Sequence, residues 1–186
     1  MNTTSSYYRR LIETVLRYSD ATEWNAAVLE WRIDDVEEDE TQQESCICGK
    51  EYLRYLFTIR NMINENTLYP IGSSCIKRFE RSDLDEEVAV KEQLFKLLHS
   101  IEGRHFLTLS SDFFSRKLLR YLYDIGAFKA TLYNDFKPYD DYRFMLDMFN
   151  KRNRTDKQEK KATAIILNSI KPFLQDMLKD KIHKNL

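Results

Sequence analysis

Three cysteines fall inside one 30-residue window, as Cys46-Ile47-Cys48-Gly49, a stretch of hairpin length, and Gly72-Ser73-Ser74-Cys75. Thiolates at this spacing can reach one tetrahedral ion, and Gly49 permits the sharp turn that a two-cysteine knuckle needs. The donor set points to structural zinc (Zn2+). Such a centre takes four ligands, so a histidine is expected to join, either His99 or His105, which both lie beyond Cys75. His99 projects off the centre of an apolar helix stripe, and His105 follows Gly103 in a loop. His183 lies too near the terminus to be a candidate. The plain alternatives are three buried thiols acting as small hydrophobes and histidines that are merely solvated or packed. A closed four-ligand centre leaves no position for water, so this site predicts no hydrolysis.

Other chemistry finds less support in the residues. The chain has no Gly-x-Ser-x-Gly, no His-Glu-x-x-His and no phosphate-binding glycine loop, and its four glycines leave little room for one. Acid pairs such as Asp34-Asp35, Glu86-Glu87 and Asp140-Asp141 are ordinary solvated faces in a chain that is 32% charged. No catalytic residue is assigned, and the chain reads as a binding protein. The densest basic patch is Lys151-Arg152-Asn153-Arg154 with Lys157, Lys160 and Lys161. Arg152, Arg154, Lys157 and Lys160 would contact phosphates if the protein bound nucleic acid, with Tyr139, Tyr142 and Phe149 available to stack on bases. Against this, Asp156 and Glu159 stand beside the patch as counter-charges. Basic residues at a helix N-terminus oppose the dipole, which argues for a purpose other than helix stability.

Composition bounds these readings. The 186 residues are 42% hydrophobic and 13% aromatic, enough for one substantial core and a small module beside it. No stretch approaches the ~20 apolar residues of a membrane span, and the N-terminal residues run into Arg9 and Arg10 without a signal-peptide core. A cytoplasmic location is expected, where reduced thiols favour a metal site over disulfides. The net charge of −1 conceals an asymmetry: residues 1–100 carry 12 basic and 19 acidic side chains, and residues 101–186 carry 17 and 11. A charged partner would therefore meet one patch, not a uniformly charged surface.

The elements that must position the cysteines follow from spacing. Leu11, Ile12, Val15 and Leu16 predict a first helix over Tyr7 to Tyr18. Asp20-Ala21-Thr22-Glu23 has the form of a capping box opening a second helix that presents Trp24, Ala27, Val28 and Trp31. Residues 34–44 hold seven acids, no base and no apolar period, and read as an exposed loop. Leu53, Tyr55, Phe57 and Ile59 alternate as a strand, and Thr67 to Ile71 returns as its partner, made an edge by Pro70. Ser73 or Ser74 caps a short helix with Cys75 in its first turn. Further helices are predicted from Ser82 or Asp83 to about Ile101, from Ser110 or Ser111 to Tyr123, after Pro138, and from the capping box Thr155-Asp156-Lys157-Gln158 onward, with a bend at Pro172. The fold class is α+β: a mostly helical single domain with a small zinc-anchored β-hairpin module inserted after two N-terminal helices. The divisions are 1–33 for the N-terminal helices, 34–44 for the acidic loop, 45–81 for the knuckle and hairpin, and 82–186 for the helical domain.

The run from Cys46-Ile47-Cys48-Gly49 through Phe57-Thr58-Ile59-Arg60-Asn61 to Ile71-Gly72-Ser73-Ser74-Cys75-Ile76-Lys77-Arg78-Phe79 resembles a zinc-binding module of proteins from bacteriophages and mobile elements of Gram-positive bacteria. Tyr121-Leu122-Tyr123-Asp124-Ile125-Gly126-Ala127-Phe128, Met148-Phe149-Asn150-Lys151-Arg152 and Thr155-Asp156-Lys157-Gln158 also look like such phage proteins. In length and layout the chain is similar to zinc-containing type II-A anti-CRISPR proteins of streptococcal phages. That resemblance implies Cys46, Cys48 and Cys75 as metal ligands. It also implies a phage- or prophage-encoded nuclease inhibitor acting in the bacterial cytoplasm. By protein–protein interaction it would bind a type II CRISPR effector nuclease and block loading of target DNA. Such nucleases hold their heteroduplex in a positively charged channel. Asp35, Glu37, Glu38 and Glu40 are then the expected contacts. The alternative is a phage nucleic-acid-binding accessory or regulatory protein using the basic patch.

Overall fold

The computed structural model describes residues 5–184, with side chains through 180, so the side chain of His183 lies outside the described residues. The fold is mixed α+β, with helices dominant and one three-stranded antiparallel sheet. The chain divides into two compact units, residues 1–91 and 92–186.

The first unit opens with α1 (Ser6–Arg17), whose Leu11 and Val15 are buried. The expected second helix is shorter than its apolar spacing suggests. Here α2 (Trp24–Ala27) passes into one 3-10 turn, and Trp31 begins a strand. The capping box does not form, because its members are used elsewhere. The Asp20 and Ala21 N–H groups donate to the Glu30 carboxylate at 2.9 and 2.7 Å, and the Asp20 side chain accepts from Asn64 at 2.7 Å.

The largest departure from expectation is the acidic segment. Its first half is not a loop but part of β1 (Trp31–Glu38), paired antiparallel with β2 (Tyr55–Asn61), which pairs in turn with β3 (Thr67–Ile71). The reason is a bulge: the pairing of β1 with β2 shifts between Ile33 and Asp35, leaving Asp34 as the extra residue. Ile33 and Val36, three apart, both pack against the core, while Asp34 and Asp35 both face solvent. A period-two search misses such a strand because the bulge breaks the alternation. Beyond the strand, the Asp39 carboxylate organises the turn, accepting from the Thr41 hydroxyl at 2.5 Å and from the N–H groups of Thr41, Gln43 and Glu44.

The expected hairpin is present. As Pro70 predicts, β3 is an edge, and the extra residue in its pairing with β2 falls between Leu68 and Ile71, around the cis Tyr69–Pro70 peptide. Trp31, Phe57, Ile59, Ile71 and Ile76 are fully enclosed, and Trp24 stands edge-on to Phe79 at 5.4 Å.

After β3 come α3 (Ser73–Ile76) and α4 (Ser82–Glu102), within which the boundary between the units falls. The second unit continues with α5 (Arg116–Asp124), α6 (Pro138–Phe149), α7 (Asp156–Ile165) and α8 (Lys171–Lys184). Residues 110–114 do not start α5. Its cap is Ser115, whose hydroxyl accepts from Leu118 N–H. Pro138 occupies the first turn of α6, and the Thr155–Gln158 capping box forms as predicted. The bend expected at Pro172 appears as a π-helical turn over Ile166–Ile170, since a proline lacks the N–H and its ring crowds the carbonyl four residues back. The α5, α6 and α7 helices pack in sequence around Leu118, Leu122, Tyr142, Met145 and Ile165.

A candidate three-sulfur metal centre

Cys46 and Cys48 sit on a tight knuckle between β1 and β2, and Cys75 on α3. Local hydrogen bonds build the knuckle. The Cys46 N–H donates to the Lys50 carbonyl at 2.8 Å, the Gly49 N–H to the Cys46 carbonyl at 2.7 Å, and the Ile47 N–H to the Pro70 carbonyl at 2.9 Å, tying the turn to β3. Gly49 has φ of +90°, a conformation that side-chain-bearing residues avoid. Gly72 answers a different need: a Cβ there would stand 2.9 Å from Leu53 Cδ2, so glycine lets the chain into α3 pass against the knuckle.

The three side chains are buried and free of disulfides, with relative exposures of 2 to 7%. Sγ of Cys75 lies 3.6 Å from that of Cys46 and 3.4 Å from that of Cys48. A disulfide would bring two sulfurs to about 2.05 Å. Thiolates sharing a tetrahedral zinc at 2.3 Å stand about 3.8 Å apart. The spacing fits a shared ion with a small outward adjustment.

Hydrogen bonding separates the three thiols. The Cys75 thiol bonds to Cys46 and, with the N–H groups of Cys48 and Gly72, holds Cys46 down to about 5 against the opposing effect of burial. Burial pushes Cys48 up, with the Lys50 N–H opposing it, and the Cys46 hydrogen bond raises Cys75 further still. Hydrogen bonding thus favours the thiolate at Cys46, and Cys48 and Cys75 favour the protonated thiol. Binding of a divalent ion, which requires all three deprotonated, is therefore expected to release about two protons per ion and to strengthen as pH rises. Calorimetry in buffers of different ionisation enthalpy measures that number, and a release near zero would contradict it.

Among the described residues, the ligand-type side chains gathered here are the three cysteines alone. The fourth ligand expected at His99 or His105 is not in the set. Both belong to the second unit, where His99 Nδ1 lies 3.3 Å from Glu102 and His105 is exposed on the loop after α4. Neither was distinguishable as a ligand by sequence position.

The acidic candidates prove to be unequal. On β1, Asp35 and Glu37 are exposed, and so is Glu40 in the following turn. Glu38 is half-buried and engaged by Arg54 at 2.9 Å, while Asp34 meets Arg60 at 3.2 Å. Asp39 is held down to about 2, chiefly by the Thr41 hydroxyl and then by the turn's N–H groups. Its hold on the turn is complete above the ordinary value of 3.8 and is lost as pH falls through about 2. Amide exchange at Thr41, Gln43 and Glu44 is expected to accelerate over that window relative to β2, and unchanged protection would refute the assignment.

The basic patch is unequal as well. Arg154 is largely withdrawn from solvent, bonded to Glu159 at 2.5 Å and to the carbonyls of Leu109 and Met148. It braces a loop and is not a free phosphate contact. Arg152, Lys157 and Lys160 are exposed, but Tyr142 is buried and stacked on Tyr123 at 4.7 Å, which removes it as a base platform. Arg154→Ala is accordingly expected to cost about 2 kcal/mol of stability, read by thermal melting, a surface-like zero effect being the contrary result.

The chain as a whole matches no family model, no curated protein and no solved structure.

Proposed function

We propose that this chain is a binding protein whose N-terminal unit is ordered by one structural zinc ion, and that it inhibits a type II RNA-guided effector nuclease by docking on the protein and blocking entry of target DNA. Zinc is favoured because three buried sulfur donors in a tetrahedral spacing suit a borderline-soft ion with no redox chemistry of its own. Reduced thiols fit the bacterial cytoplasm, and a phage or prophage origin follows from the resemblance of the knuckle and its return strand.

The observation that carries the docking reading is the acidic face of β1. The bulge at Asp34 leaves Asp35 and Glu37 outward on the edge strand β1, with Glu40 exposed in the turn beyond, so the three present negative charge to a partner. A positively charged nucleic-acid channel would be met by such a face, and the encounter would be steered by it.

The test is target-DNA cleavage by a guide-loaded streptococcal type II effector, with the protein added before or after the DNA. Inhibition only on prior addition is expected. The joint variant Asp35→Asn, Glu37→Gln, Glu40→Gln should weaken complex formation at least tenfold, while leaving Glu38 to its arginine. Equal affinity would remove this face from the mechanism. No inhibition and no complex, together with a salt-sensitive nucleic-acid shift abolished by Arg152→Ala, Lys157→Ala, Lys160→Ala, would favour the nucleic-acid alternative.

A further inference from the structure

The three-sulfur set is one donor short of a closed tetrahedron. Cys48 and Cys75 border a pocket of about 530 Å³ formed between the start of α1, the knuckle and α3. Cys46 lies away from it, its sulfur covered by the Gly72 N–H at 3.4 Å. A pocket of this size falls within the range that encloses a small ligand. Its wall is mixed in character. Tyr8 and Leu11 supply apolar surface, and Lys50 and Arg78 supply two exposed cations. The Arg78 guanidinium lies 5.5 Å over the Tyr8 ring, which keeps its charge at the pocket. The first turn of α1, which also lines the pocket, contains no acid, and no side chain caps it, so that end of the helix adds positive potential.

From these features we infer that the fourth coordination position opens into this pocket and is filled by the carboxylate of a small organic acid. The inference rests on the reading of the three sulfurs as metal ligands. Three thiolates around a dication leave one negative charge. A carboxylate donor raises it to two, matched by Lys50 and Arg78, and zinc accepts carboxylate oxygen readily. Among the described residues lining the pocket, Glu51 is the sole carboxylate of the chain itself. It is exposed and lies outside the cluster of ligand-type atoms around the sulfurs.

The experiment uses the full chain reconstituted with Co2+, whose visible ligand-field bands report the donor set while its near-ultraviolet thiolate charge transfer reports sulfur binding. Acetate is expected to shift the visible bands saturably, and acetamide at equal concentration to leave them unchanged. Lys50→Ala with Arg78→Ala should weaken the acetate response about tenfold with the charge-transfer band retained, and Glu51→Gln should alter neither spectrum nor response. Visible bands insensitive to acetate, with charge transfer intact, would overturn the open position while leaving the metal site standing. A spectrum changed by Glu51→Gln alone would assign the donor to Glu51 and equally overturn it. Absence of the charge-transfer band would instead defeat the metal reading on which the inference depends.

Discussion

Cys46→Ser is expected to release the metal and lower stability by about 4 kcal/mol or more, seen as a joint fall in zinc content and melting temperature. The expectation follows from how little else holds the knuckle. Between β1 and β2, the segment is fixed by a few backbone bonds, and its side chains in the core are the cysteines, Leu53 and the partly buried Ile47. Without an ion, Cys48 and Cys75 keep their protons and are left as two poorly matched thiols beside the serine in an apolar setting. The sulfurs share a buried cluster with Trp31, Phe57, Ile59 and Ile76, but β2 is also held by its ladders to β1 and β3, so the loss should begin at the knuckle. Hydrogen exchange is therefore expected to rise at Ile47, Gly49 and Cys75 before it rises in β2. A metal-free wild-type protein with unchanged melting temperature would refute the site altogether.

Asn61→Ala should cost about 3 kcal/mol, an unusual amount for a neutral polar residue at the end of a hairpin strand. Asn61 is fully buried. Its amide donates to the Glu30 carboxylate at 2.5 Å, and its carbonyl accepts the N–H groups of Ile63 and Asn64 at 2.8 and 3.2 Å. Truncation leaves a buried carboxylate short of a donor and two turn amides short of an acceptor. The same knot predicts a pH dependence. Burial opposes the charge on Glu30, but the hydrogen bonds from Asn61 and the Asp20 and Ala21 amides outweigh it, and the group ends below its ordinary value of 4.5. Its stabilisation is complete above 4.5 and is lost as pH falls through the lowered value. In Asn61→Ala that loss should begin at higher pH than in wild type. Acid titrations of both proteins by circular dichroism check the direction, and identical midpoints would exclude Asn61 from the knot.

The anchor of the N-terminal unit was legible from spacing. Cys46, Cys48 and Cys75 stand on the elements expected of them, the hairpin runs between, and Pro70 marks the edge strand. In the second unit, Pro138 starts α6, Thr155 and Gln158 close their capping box, and Pro172 follows a distorted turn. These are local rules, enforced by covalent geometry and by hydrogen bonds within a few residues, so the sequence by itself determined them. Where the outcome depended on a distant partner, local rules misread it. Residues 34–38 carry an acidic composition that argues for a loop, yet β2 offers them a ladder, and one bulge lets Ile33 and Val36 reach the core. Trp31 continues a helical spacing, yet its indole is enclosed and donates to Ser19. Asn61 ends a hairpin strand, and only its meeting with Glu30 makes it a core residue. The histidines beyond Cys75 were plausible ligands by order along the chain, but coordination requires an atom within about 2 Å of the ion. The tertiary structure alone decided that neither His99 nor His105 joins the sulfurs and that two sulfurs border a pocket, because burial and ligand convergence are set by side chains far apart in sequence.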